Sequence, residues 1–161
     1  MFALPDFDLR ALEQPRVVHI AEAFVSAPPH AITSAVNPRS PGGPHDFSSE
    51  GDYWWPNPKN PDGPYIRRDG ETNPANFTAH RRLLMEFARS VGALAAAYDL
   101  TGEERYAQAA VRQLHVWFVD PDTRMNPNLQ YAQSIKGVAT GRGIGVIDTV
   151  HLAEVALAVE A

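Results

Sequence analysis

The chain reads as an all-α protein in which an antiparallel helical hairpin follows a long proline-rich loop. Three observations predict this. Apolar residues recur at helical spacing in several separate stretches. Ten of the fourteen prolines fall in residues 28–74, and none falls in 75–120. Finally, the short sequence Thr101-Gly102-Glu103-Glu104 joins two of the periodic stretches, which folds them back on each other. The chain thus divides into a first helical region (1–27), an aromatic and arginine-bearing loop (28–72), a helical hairpin (73–120), a second loop (121–148) and a last helix (149–161).

The first helix is expected over about 16–26. Pro15 suits its first turn, and Val17, Ile20, Ala21, Phe24 and Val25 repeat at helical spacing before Pro28-Pro29 ends it. Through residue 72 the backbone cannot stay helical for long, because each proline removes a donor and constrains the residue before it. A loop of this length inside a compact domain is functional or disordered. Its aromatic residues Phe47, Tyr53, Trp54, Trp55 and Tyr65 offer area to bury and argue for order.

In the hairpin, Phe77, Leu84, Val91 and Tyr98 recur every seven residues with Phe87 and Leu94 between them, an apolar stripe along one helix face. Asn73-Pro74 reads as a cap followed by proline in the first turn, and Thr101 to Glu104 as a capping box opening the next helix. That helix carries Ala107, Ala110, Val111, Leu114, Trp117 and Phe118 and stops at Asp120-Pro121. Asp148 or Thr149 is expected to cap the last helix, with Leu152, Val155, Ala156 and Val159 on one face. No Gly, Asn or Pro closes that pattern before Ala161, so the helix is expected to continue in a larger domain.

Length permits one unit that buries about 70% of its unfolded surface. The formal net charge of −5 argues against non-specific nucleic-acid binding, and no apolar run approaches the ~18 residues of a membrane span. The first ten residues, MFALPDFDLR, lack the apolar core of a signal peptide. The absence of cysteine excludes disulfide and thiol chemistry. Twelve of the fourteen basic residues are arginine, the side chain suited to bidentate recognition of carboxylate or phosphate.

Three constellations can carry chemistry. In the first loop, Asp52, Tyr53, Trp54, Trp55, Tyr65, Arg67 and Arg68 combine aromatic planes with guanidinium groups, a set suited to stacking a sugar ring and fixing its polar groups. A purely structural aromatic belt is the competing reading. Asn126, Asn128, Gln130, Tyr131 and Gln133 offer neutral amides and a phenol, or simply turn-forming residues. Gly141-Arg142-Gly143-Ile144-Gly145 lacks the preceding strand of a dinucleotide loop; its glycines instead permit backbone crowding at a helix start, with Arg142 projecting towards an anion. The six histidines show neither HxxxH nor HxH spacing, so no metal site is expected, and His80 and His115 fall within helices as structural or solvated residues. Asp52, Asp62 and Asp69 share the first loop, which leaves a glycosidase-like carboxylate pair open.

Three blocks, DYWWPNPKNPDGPYIRRDGETNP, YDLTGEERYAQAA and MNPNLQYAQSIKGVATGRGIGVIDTVHLAEV, occur in order within about residues 45–161 and resemble the alginate lyase family. The resemblance implies a toroid of paired α-helices, here incomplete, with the proline-rich loop as a lid. It implies β-elimination on a polyuronate: the C5 proton is removed, the C4–O bond breaks, and donors damp the C6 carboxylate charge while tyrosine moves the proton. No metal or organic cofactor is implied, and the partner is an anionic polysaccharide, not nucleic acid or membrane. The family is periplasmic or secreted.

By position in the family, Tyr53, Trp54, Trp55, Tyr65, Arg67 and Arg68 face substrate from the lid. Asn128, Tyr131, Gln133 and Arg142 line the cleft, with Gln133 or Arg142 as carboxylate contact. The family's Asn-Asn-His motif and its following catalytic Tyr and Arg are absent, and are expected beyond Ala161. Tyr98 and Tyr106 are expected in the core, so neither serves as the base. Residues 1–161 are therefore expected to be inactive alone. A non-catalytic carbohydrate-binding module, a helical-toroid glycoside hydrolase and a helical scaffold remain as alternatives.

Overall fold

A computed structural model describes residues 8–160; residues 1–7 and Ala161, which the expectations for the chain's opening and for the end of the last helix include, lie outside that range. Four helices carry the structure: α1 (Leu9–Val25), α2 (Ala79–Thr101), α3 (Glu104–Phe118) and α4 (Leu152–Glu160). The all-α expectation needs one correction, because four short strands lie in the loops: β1 (Ser48–Glu50), β2 (Trp54–Trp55), β3 (Ile66–Arg67) and β4 (Tyr131–Ser134). β1 pairs in parallel with β4, and β2 pairs antiparallel with β3. Strands of two to four residues are too short to show an alternating pattern in the sequence.

α1 begins well before the expected start. Asp8 caps it by accepting from the Ala11 N–H at 3.1 Å, and Pro15 sits inside the helix. Leu9 and Leu12 point outward, so the first turns have no apolar stripe to announce them. α2 begins later than expected. Asn73 makes a turn instead of a cap, its Oδ1 accepting from the Ala75 N–H and its Nδ2 donating to the Trp54 carbonyl.

The heptad stripe of α2 holds only in its middle. Leu84, Phe87, Val91 and Leu94 are buried, whereas Phe77 precedes the helix and Tyr98, expected in the core, is exposed. A straight helix drifts about 20° per heptad from a seven-residue repeat, so the ends of the pattern rotate off the buried face. Tyr106, by contrast, is fully buried. The capping box is not formed as read. Gly102 ends α2 in the left-handed region (φ 69°), donating its N–H to the Tyr98 carbonyl, and Thr101 is drawn into the last turn, where its hydroxyl donates to Ala97.

α3 buries Tyr106, Ala109, Ala110, Gln113 and Trp117, while Val111 and Phe118 face outward. Of the face expected on α4, only Val155 is buried, and neither Asp148 nor Thr149 caps the helix. Both belong to a preceding 3-10 helix, Gly143–Thr149, and are buried there.

Two apolar clusters result. Ala21, Leu94, Ala97, Tyr106, Ala109 and Ala110 join α1 to one end of the hairpin. At the other end Leu84, Phe87, Val91 and Trp117 meet Ile32, Phe47 and Ala132 from the loops, with the Trp117 ring stacked on Phe87 at 4.6 Å.

Candidate functional site

The site grows from the β1–β4 pair, which brings Ser49 beside Gln133 across more than eighty residues. Gln133 is the one non-glycine residue with positive φ (56°) among the described residues, a strained conformation for an L side chain. Every polar group it offers is engaged. Its N–H donates to Ser49 Oγ at 2.7 Å, and its carbonyl accepts from Arg142 Nε at 2.7 Å. Its Oε1 accepts from Arg142 Nη2 at 3.0 Å, and its Nε2 donates to both oxygens of Asp148 at 3.0 and 3.1 Å. Asp148, buried, also accepts from the Ser49 hydroxyl.

Arg81 reaches the same carboxylate from the first turn of α2, its Nε 3.5 Å from Asp148 Oδ1. Its Nη2 donates to Asp52 Oδ1 at 2.7 Å and to the Glu50 carbonyl at 3.0 Å. Burial opposes the charge of Arg81, but the Asp52 hydrogen bond and the two neighbouring carboxylates outweigh it and raise its pKa further above the usual range.

The β2–β3 hairpin forms the facing wall. Trp54 lies opposite Arg67 and Trp55 opposite Ile66. Successive strand residues point to opposite faces, so Trp54 and Arg67 share the inner face while Trp55 turns away. Trp55 is occupied there: Arg68 lies over its ring at 4.9 Å, and its indole N–H donates to the Glu71 carbonyl. Gly51 lets the wall close, since a Cβ there would meet Trp54 Cδ1 at 2.6 Å and Arg142 Nη2 at 2.9 Å.

Between these walls lies an open cavity of about 540 Å³. Tyr53, Trp54, Arg67, Gln133 and Arg142 line it, five of the ten residues the sequence nominated. Trp55, Tyr65, Arg68, Asn128 and Tyr131 do not. Tyr65 faces Lys136, Asn128 donates to Asp46, and the Tyr131 ring packs over Gly42. Asp52, Arg81, Met85, Asp148 and His151 also line the cavity. Of these, the sequence singles out only Asp52 for chemistry. Asp148 reads there as a helix cap, and Arg81 as one more charge on a helix face.

Two of the three glycines of the run are crowded as expected, since a Cβ on Gly141 would meet the Gln130 carbonyl at 2.0 Å and one on Gly145 the Ala132 Cβ at 2.4 Å, whereas Gly143 faces open space. His80 is structural. Its Nδ1 accepts from the Ser48 N–H and its Nε2 donates to the Ala35 carbonyl, and burial lowers its pKa. Among the described residues no group of three His, Cys, Asp or Glu side chains could hold a metal ion.

The cavity's three arginines differ in their counter-charges. Arg81 lies between Asp52 and Asp148, and Arg67 pairs with Asp69 at 2.7 Å. Among the described residues Arg142 has no ion pair; neutral oxygens of Gln133 hold it, and it remains half-exposed to the cavity. An aromatic wall facing an uncompensated guanidinium can stack a sugar ring while binding its carboxylate.

Comparison with known proteins shows the family of the chain. The family model described as alginate lyase matches residues 31–161. The chain is also similar to the crystal structure of an alginate lyase from Bacteroides ovatus, with a TM-score of 0.79 and 38% identity. That match covers 92% of this chain and 40% of the other, so this chain spans well under half of that protein's length. No curated protein matches the chain significantly.

Proposed function

Because the chain belongs to the alginate lyase family, we propose that it forms the substrate-binding part of a polysaccharide lyase that cleaves a polyuronate, alginate or a glucuronan-type polymer, by β-elimination. One observation carries the substrate class: Arg142 is the cavity cation without a carboxylate partner among the described residues. A uronate C6 carboxylate bound there loses part of its charge to the guanidinium, which makes the C5 proton easier to remove and stabilises the enolate-like transition state. Trp54 and Tyr53 offer the ring contacts. The β2–β3 hairpin serves as a lid, the helical hairpins as part of a toroid, and the whole works without metal in the periplasm or outside the cell.

The catalytic Asn-His, Tyr and Arg set is assigned to sequence following Ala161, so residues 1–161 alone bind but do not turn over. A chain extended past Ala161, incubated with alginate or polyglucuronate, should generate ultraviolet absorbance from the new double bond. Silence on every polyuronate would sink the reading. In that extended chain, Arg67→Ala and Arg68→Ala should alter turnover or KM; if both leave both unchanged, the lid is misassigned.

The alternatives fit less well. A binding module with a Trp54/Trp55 platform needs both indoles on one face, and they lie on opposite faces of the strand. A hydrolase would need two of the loop aspartates Asp52, Asp62 and Asp69 as acid and base, and of these only Asp52 lines the cavity, where Arg81 engages it.

A further inference from the structure

We propose that Asp148 and Gln133 form a charge-sorting pair: Asp148 fixes the Gln133 amide with its oxygen towards Arg142, which leaves Arg142 held by neutral acceptors and fully charged for substrate. The inference rests on the polyuronate reading, but its geometry stands independently. A side-chain amide offers donors at one end and an acceptor at the other. Asp148 is the acceptor on one side of Gln133, and Arg142, which can only donate, lies on the other. Only one orientation satisfies both. The reverse would set oxygen against carboxylate and NH2 against guanidinium, in a buried place where an unmet group is costly.

Gln133 is therefore a positioning residue and not itself the carboxylate contact. Its Nε2 is directed at Asp148, and its main chain is committed to Ser49 and Arg142. The neutrality of residue 133 is the specificity element. A glutamate there would set a second carboxylate against Asp148 and, ionised, would cancel the charge of Arg142, as the two aspartates do for Arg81. Selection of uronate over the corresponding neutral sugar then depends on the neutral acceptor that Asp148 orients towards Arg142.

The test uses the 161-residue protein titrated with oligoglucuronate and oligomannuronate and with their carboxyl-reduced counterparts, followed by calorimetry. The wild type should prefer the acid forms by roughly tenfold or more. The double variant Gln133→Glu with Asp148→Asn puts a carboxylate on Arg142 while giving it an amide NH2 to meet on the other side; Asp148→Asn alone leaves residue 133 neutral. The double variant should bring the acid-to-neutral ratio close to one, whereas Asp148→Asn alone should keep a preference for the acid forms. A wild-type ratio retained in the double variant overturns the proposal. If the double variant does not fold, Gln133→Glu decides, read at alkaline pH where both carboxyls are ionised. If the wild type itself shows no preference for acid sugars, the polyuronate reading fails. The pairing is then judged by 15N NMR, where the Gln133 side-chain amide protons should be exchange-protected in the wild type and released in Asp148→Asn; unchanged protection overturns it.

Discussion

The two ends of the α2–α3 hairpin present similar apolar stripes and build different things. At the Gly102 end the partner is a helix, α1, and alanines at 21, 97, 109 and 110 let the helices lie close together. Polar groups there stay outside, where Arg105 joins Glu22 beside the Tyr106 hydroxyl. At the other end the partners are loops, whose backbone groups the two short strand pairs satisfy only in part. Buried side chains meet others: Asn76 donates to the Gly51 carbonyl, Glu50 accepts from the Phe77 N–H, and His80 bridges Ser48 and Ala35. A helix–helix contact needs only small apolar residues, whereas a loop–helix contact imports polar groups into the interior. The cavity lies at the end that had to import them.

The largest test of this contrast is Trp117→Ala. It removes the biggest fully buried side chain from the loop-supported cluster and should cost about 3–5 kcal/mol in denaturant unfolding. A loss well below that would show that the loops are held mainly by their polar network. At the alanine end, Ala109→Leu should cost about 1–3 kcal/mol by forcing the helices apart, while the same side chain at the exposed position 111 should be nearly neutral. Equal effects at the two positions would break the close-packing argument.

Acid should separate the two ends by sequence of failure. His80 is buried with a folded pKa below its ordinary 6.5, so the unfolded chain binds the proton first. Stability from the neutral ring is complete above about 6.5 and declines as pH falls from there towards the lower folded value. Glu22, at the helical end, has a lowered pKa from its hydrogen bonds to Arg105 and Tyr106. Its contribution is present above its ordinary 4.5 and is lost only as pH falls below that. Denaturant midpoints measured from pH 7.5 to 5 should fall for the wild type and lose that slope in His80→Gln. The smallest effect is expected from Arg105→Ala. Its ion pairs are solvent-exposed, so any shift in midpoint should be slight and should shrink with added salt.

Much of this was legible in the chain. The three sequence blocks identified the alginate lyase family, which the match over residues 31–161 and the 38% identical structure bear out. The proline-free stretch marked the hairpin, because helical periodicity is a local property that each helix carries in its own side chains. Tyr53, Trp54, Arg67, Gln133 and Arg142 could be nominated from motifs and do meet in one cavity. Trp55 and Arg68 could not be separated from their neighbours until the residues were seen to be strands, where alternation sends adjacent side chains to opposite faces.

Arg81 and Asp148 were beyond reach for a different reason. A charged residue near the start of a helix reads as solvated, and an Asp before a helix reads as its cap. Their roles arise only when β1 pairs with β4, bringing Ser49 against Gln133 and burying Asp148 between Gln133 and Arg81. The sequence by itself determined which segments form helices and which family they belong to. Tertiary structure alone decided which cavity charges meet a carboxylate and which is held by neutral oxygens, because the partner of a buried charge is set by contacts between residues distant in the chain.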